Sequence, residues 1–107
     1  MNKNRILVLS DLREFTETVA QKAISFSNNY EKEIDVLHVE DESFLKFFKE
    51  KTECSLDKSK SILSAIYKDK ANIFCKCGNF IEIVKDHILN NNISLVIVGF
   101  KREKTFI

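Results

Sequence analysis

The 107-residue sequence predicts an α/β domain, an open and mostly parallel sheet of four strands with helices on both faces. Three observations carry this. Continuous apolar runs without helical spacing occur at residues 6–9 and within SLVIVG at 94–99, as in strands buried on both faces of a parallel sheet. The segments between strands carry apolar stripes at helical spacing, so strand and helix alternate. No repeat, linker or low-complexity stretch interrupts the alternation.

The first strand is read from RILVLSD at residues 5–11, with Ile6, Leu7, Val8 and Leu9 as its apolar run. Asp11 stands where the strand runs out. Ligands of open α/β sheets sit at the carboxyl ends of central strands, which makes Asp11 a candidate ligand contact. Its simpler role is a helix cap, because Glu14 follows three residues later and the Asp11 carboxylate can accept from free N–H groups of the first turn. Residues 12–30 then place Phe15, Val19, Ala23, Phe26 and Tyr30 on one helical stripe, with Asn28 and Asn29 as its expected stop. IDVLHV at 34–39, mostly apolar and rich in β-branched residues, is the second strand.

Residues 41–70 read as two helical pieces. A short one, capped by Ser43, holds Phe44, Leu45, Phe47 and Phe48, and a longer one holds Leu56, Leu63, Ile66 and Tyr67, with a junction at 52–55. The third strand spans 72–77, where Lys76 among apolar neighbours predicts an outer position and Gly78 closes the run. Phe80, Ile81, Val84, Ile88 and Leu89 make a third amphipathic helix, stopped by Asn90, Asn91 and Asn92. Residues 94–99 form the fourth strand. Right-handed crossovers arrange the strands 3-2-1-4, with the first two helices on one face, the third on the other, and a switch point between Asp11 and Gly99. The first and fourth strands, the most hydrophobic, are expected to be neighbours in the middle.

At this length the chain is one domain, residues 1–107, burying roughly 65% of its unfolded surface. Seventeen basic against sixteen acidic residues leave a charge of +1, which calls for neither nucleic acid nor a membrane as partner. The apolar run after MNKNR is too short for a signal core or a span, so the expected location is the cytoplasm. Cys54, Cys75 and Cys77 match no disulfide framework and fit a reducing compartment. Cys75 and Cys77 share one face of a strand, which would suit a soft metal only with two further ligands, and they are read as small buried thiols with no metal site. His38, in an apolar strand with no nucleophile or carboxylate spaced to recruit it, is read as structural. There is no Walker loop, nucleophile elbow, zinc-binding His pair or Cys/His constellation, so no enzyme is predicted. A receiver domain would need an acidic pair after the first strand and an Asp after the third, and residues 76–79 supply none.

ILVLSD at 6–11, VLHV at 36–39, and Gly78 followed sixteen residues later by SLVIVG resemble, in order and spacing, the universal stress protein (UspA-like) family. The likeness runs over the whole chain and implies that family's adenine-nucleotide alpha hydrolase-like architecture. In the ATP-binding branch, the aspartate ending the first strand and the valine ending the HV pair hold adenine, and a loop GxxG, nine residues, then G and Ser or Thr holds ribose and phosphates. Carried over, this implies Asp11, Val39 and Gly99 as nucleotide contacts. Arg102 stands where the second glycine is expected, the sequence reaches Ile107 before the third, and Leu12 and Arg13 replace the usual Gly and Ser. The chain is therefore read as a short form without the family's fourth helix and fifth strand.

With the loop incomplete, the expectation is weak ATP binding or none. Lys101 and Arg102, with Lys104, are a basic tail that could contact an anion at the switch point. The function expected is a small non-enzymatic stress-response protein acting by self-association, as a homodimer, or through a protein partner. In that dimer the fourth strand's edge at 95–98, the uncovered half-face and Thr105, Phe106 and Ile107 would be buried. The alternative is a nucleotide-binding sensor using the crevice between Asp11 and Gly99.

Overall fold

The computed structural model describes residues 4–12, 16–41 and 56–99. Its elements are β1 (Arg5–Leu9), α1 (Thr16–Tyr30), β2 (Glu33–Asp41), α2 (Leu56–Tyr67), β3 (Asn72–Gly78), α3 (Phe80–Asn90) and β4 (Ile93–Val98). All strand pairs are parallel and the order is β3-β2-β1-β4, as the sequence predicts. The register aligns Leu7 with Asp35 and Val96, and Asp35 with Asn72.

Successive side chains of a strand point to opposite faces, and this divides the core. Ile6, Val8, Ile34 and Val36 pack with Ala20 and Ala23 of α1 and Leu63 and Tyr67 of α2, all of them buried. Burying each Ile, Leu or Val side chain contributes roughly 1.5–3 kcal/mol, so this face holds much of the fold's stability. The small Ala20 and Ala23 let α1 approach the sheet closely. Leu7, Asp35 and Leu37 point to the opposite face, on which α3 lies, and they too have almost no exposed surface.

β4 departs from expectation. It neighbours β1 but is an edge strand among the described residues, and Leu95 and Val98 are 38% and 52% exposed. The central pair is β1 and β2, because nothing described pairs with the far side of β4. Lys76 is exposed on the opposite edge strand, β3, as its charge predicts.

Helix ends follow the asparagines only in part. Asn79 caps α3, its Oδ1 accepting from Glu82 N at 3.0 Å, and the helix closes at Asn91 and at Asn92, which takes the left-handed φ of 55°. α1 runs past Asn28 and Asn29 to Tyr30, and Glu31 takes the left-handed position at φ 53°. That end is fastened by Lys32 N donating to Ser27 O at 3.1 Å and by the Ser27 hydroxyl donating to Lys32 O. Tyr30 is exposed rather than in the core, its ring 4.5 Å from that of Phe26. The helical piece expected around Phe44–Phe48, together with Phe15 and the Asp11–Glu14 start signal, falls on or against residues outside the described ones.

Candidate functional site

The carboxyl ends of β1, β2 and β4 form the crevice where the sequence places a ligand. Leu9 pairs with Leu37 and with Val98, so extending the registers sets Asp11 level with Val39, and Ser10 level with Gly99. The structure thus brings Asp11, Val39 and Gly99 to one end of the sheet. Asp11 is exposed and Val39 half-buried. Lys101 and Arg102 lie outside the described residues.

The exit of β1 is fixed by several bonds. Ser10 N donates to Leu37 O at 3.0 Å, and Leu12 N donates to Ser10 Oγ at 3.4 Å while Leu12 takes a left-handed φ of 61°. His38, 6% exposed, lies 2.8 Å through Nδ1 from Ser10 O and 3.0 Å through Nε2 from Glu40 Oε1. A carbonyl and a carboxylate both accept, so the ring N–H donates to one or the other according to its tautomer. His38 thereby ties the end of β1 to β2, and Glu40, two residues on along the same face of the strand, is the carboxylate partner that the sequence reading did not find.

Gly99 has a packing reason of its own. A Cβ built there would collide with the Val19 side chain of α1, so the glycine lets the end of β4 lie against that helix.

A second polar cluster, not found from the sequence, lies toward the amino ends of the strands. Asp35 has no exposed surface, and its Oδ2 is 2.9 Å from His87 Nε2 of α3 and 3.5 Å from Arg5 Nη1. Its Oδ1 accepts from Asn72 Nδ2 at 3.1 Å. Arg5 Nε also meets Glu33 Oε2 at 3.2 Å, and the Phe74 ring stands edge-on to His87 with centroids 4.8 Å apart. Among the described residues no buried side-chain nitrogen or oxygen lacks a partner, so the cluster is closed and satisfied. The available signal was an acidic residue inside an otherwise apolar strand. A buried charge demands partners, but the sequence does not say which.

Cys75 is a free, half-buried thiol whose pKa is raised by burial, with Lys60 pulling it down and Glu40 adding to the rise. Cys77 is disulfide-bonded, which departs from the expectation that the three cysteines form no disulfide and that Cys75 and Cys77 are both small buried thiols. Among the described residues no group of three or more His, Cys, Asp and Glu could hold a metal ion. Surface depressions lie between α1 and α2, beside Glu17, Gln21, Ile24 and Ile66, and along α3, away from the strand ends.

No protein-family model matches the chain, and no curated protein matches it in sequence. Solved structures do match its fold. Hypothetical protein MJ0577, solved as a structural-genomics test case of assigning biochemical function from structure, superposes with a TM-score of 0.67 at 19% identity. The match covers 91% of this chain and 74% of that one. The universal stress protein UspA from Lactobacillus plantarum superposes with a TM-score of 0.59 at 12% identity, covering 92% of this chain and 78% of that one. These structural neighbours are universal stress protein family members. The four-stranded parallel sheet in the order β3-β2-β1-β4, with its helices, is the universal stress protein α/β fold.

Proposed function

We propose that this protein is a non-enzymatic stress-response factor on the universal stress protein fold, working by self-association or through a protein partner rather than by turning over a nucleotide. The observation that carries the reading is at Gly99. A glycine that serves phosphate binding leaves its backbone open to the ligand, whereas the missing side chain of Gly99 accommodates Val19. The sequence agrees, since Arg102 occupies the second glycine position of the family's loop. The edge of β4 and its exposed Val96 and Val98 support association with another chain. Among the described residues no helix is long and apolar enough to cross a membrane. The cytoplasmic location that belongs to this reading rests on the sequence.

The second reading, a nucleotide sensor, is favoured by the convergence of Asp11, Val39 and Gly99 at one end of the sheet. Titration calorimetry with MgATP decides between them. Hydrogen bonds to a charged group are each worth about 1.5–3 kcal/mol, so two missing backbone donors weaken a triphosphate about a hundredfold or more. The expected dissociation constant is above about 10 μM, and tighter binding overturns the proposal in favour of the sensor.

A further inference from the structure

Two of the three cysteines stand on one face of the outer strand β3 in different chemical states. Cys77 is disulfide-bonded, and Cys75 is a free thiol. The sequence holds one other cysteine, so within a single chain the bond joins Cys77 to Cys54, a residue outside the described ones. Side chains two apart on a strand have Cβ atoms about 6.6 Å apart, whereas a disulfide needs about 3.5–4.5 Å. Cys75 and Cys77 therefore cannot bond to each other. They compete for the same third sulfur.

The setting allows that competition. Among the described residues β3 is an edge strand, and both cysteines are half-buried rather than sealed in the core. A sulfur bonded to Cys77 Sγ lies only about 2.05 Å from it, so side-chain rotation brings it within reach of Cys75 Sγ while the strand stays in place. Burial holds the Cys75 thiol protonated and the Lys60 ammonium acts the other way, which makes it a slow nucleophile rather than an inert one. The spacing of the cysteines fits a reducing compartment, and a disulfide found there is usually transient or redox-sensing.

We propose that β3 is a thiol–disulfide exchange site, in which Cys77 and Cys75 are alternative partners of Cys54 and small thiols of the glutathione class open and close the bond. In the internal step the Cys75 thiolate attacks Cys54 Sγ. The Cys54–Cys75 bond forms, the Cys54–Cys77 bond breaks, and Cys77 leaves as a thiolate that takes up the proton Cys75 released. No electrons are gained or lost. Opening consumes two reduced thiols: the first forms a mixed disulfide on Cys54 and frees Cys77, and the second frees Cys54 and departs as the small disulfide. Closure is the reverse, with glutathione disulfide as the oxidant. The site does not depend on the function proposed above, and it holds whether or not the chain self-associates.

The sequence makes the site easy to read. Trypsin cleavage after Lys76 places Cys75 in peptide 71–76 and Cys77 in peptide 77–85, while Cys54 falls in peptide 52–58. The full chain is equilibrated in mixtures of reduced and oxidised glutathione, its free thiols are blocked with iodoacetamide, and the unreduced digest is weighed by mass spectrometry. Peptide 52–58 should be found joined mainly to 77–85 and in a minor fraction to 71–76. Both species should vanish in excess reduced glutathione and return in the oxidised form. Cys77→Ser should move the bond onto Cys75, and Cys54→Ser should abolish it, each with the wild-type circular dichroism. If 52–58 is never joined to 71–76, in the wild type or in Cys77→Ser, the exchange is overturned. The wild-type digest decides this even where a variant fails to fold. A bond that outlasts excess reduced glutathione in the folded chain, or that joins two chains on a non-reducing gel of dilute protein, overturns the reversible site.

Discussion

A carboxylate with no exposed surface is tolerated in a sheet only when its charge is met on every side, and Asp35 is met by His87, Asn72 and Arg5. The cluster joins β1, β2, β3 and α3, so it sets the position of the helix as well as satisfying a buried ion. Asp35→Ala removes the shared acceptor and leaves the buried His87 ring without its partner, while the exposed Asn72 amide turns to water. Breaking such a pair costs about 3–5 kcal/mol, and urea unfolding should show a loss of that order. A loss below about 1 kcal/mol would mean that the neighbours find other partners. His38 differs in consequence because its carboxylate partner, Glu40, is partly exposed, and a surface-screened pair contributes little. Its main effect is to hold the exit of β1 through Ser10 O.

At the scale of elements, α3 is the one that the sequence describes most completely. Its stripe, its asparagine stop and its place between β3 and β4 were all legible, because each is a local property of periodicity or capping. Its N-cap was not singled out, yet Asn79 accepts from Glu82 N at 3.0 Å and occupies the extended conformation of a cap. Asn79→Ala should destabilise the protein by about 1 kcal/mol, whereas Asn79→Asp keeps the acceptor and should cost little. Thermal unfolding of the two variants side by side is the check, and equal losses would remove the cap as the cause. Before α3, Gly78 takes a φ of 153°, and a Cβ there would stand 2.9 Å from Ile83 Cδ1, so the turn into the helix specifically needs glycine.

For the whole molecule, Tyr67 reports on the core between the sheet, α1 and α2, in which it is buried. The phenol has 1% exposure and burial pushes its pKa from 10.0 up to about 12. Below pH 10 the native and unfolded chains both keep this proton. As pH rises from 10 toward 12 the unfolded chain releases it and the native chain retains it, so stability falls with pH across that window. The loss from Tyr67 is on the order of 2 kcal/mol, and Tyr67→Phe should flatten this part of the stability–pH curve measured by urea unfolding. An unchanged slope in Tyr67→Phe would show that the phenol does not couple to folding.

The sequence by itself determined the strands, the helices and their order along the sheet, because continuous apolar runs, 3.6-residue stripes and right-handed crossovers are rules of local pattern and chirality. It also placed Asp11 and Gly99 at the carboxyl end of the sheet, since both follow strands that run parallel. Tertiary structure alone decided which side chains face one another across long separations. Asp35 and His87 are 52 residues apart, and Gly99 owes its missing side chain to Val19, far earlier in the chain. Tertiary structure also put β4 at an edge, although its apolar run resembles that of a central strand. Periodicity reports that a residue is to be covered, and only the assembled layers supply what covers it.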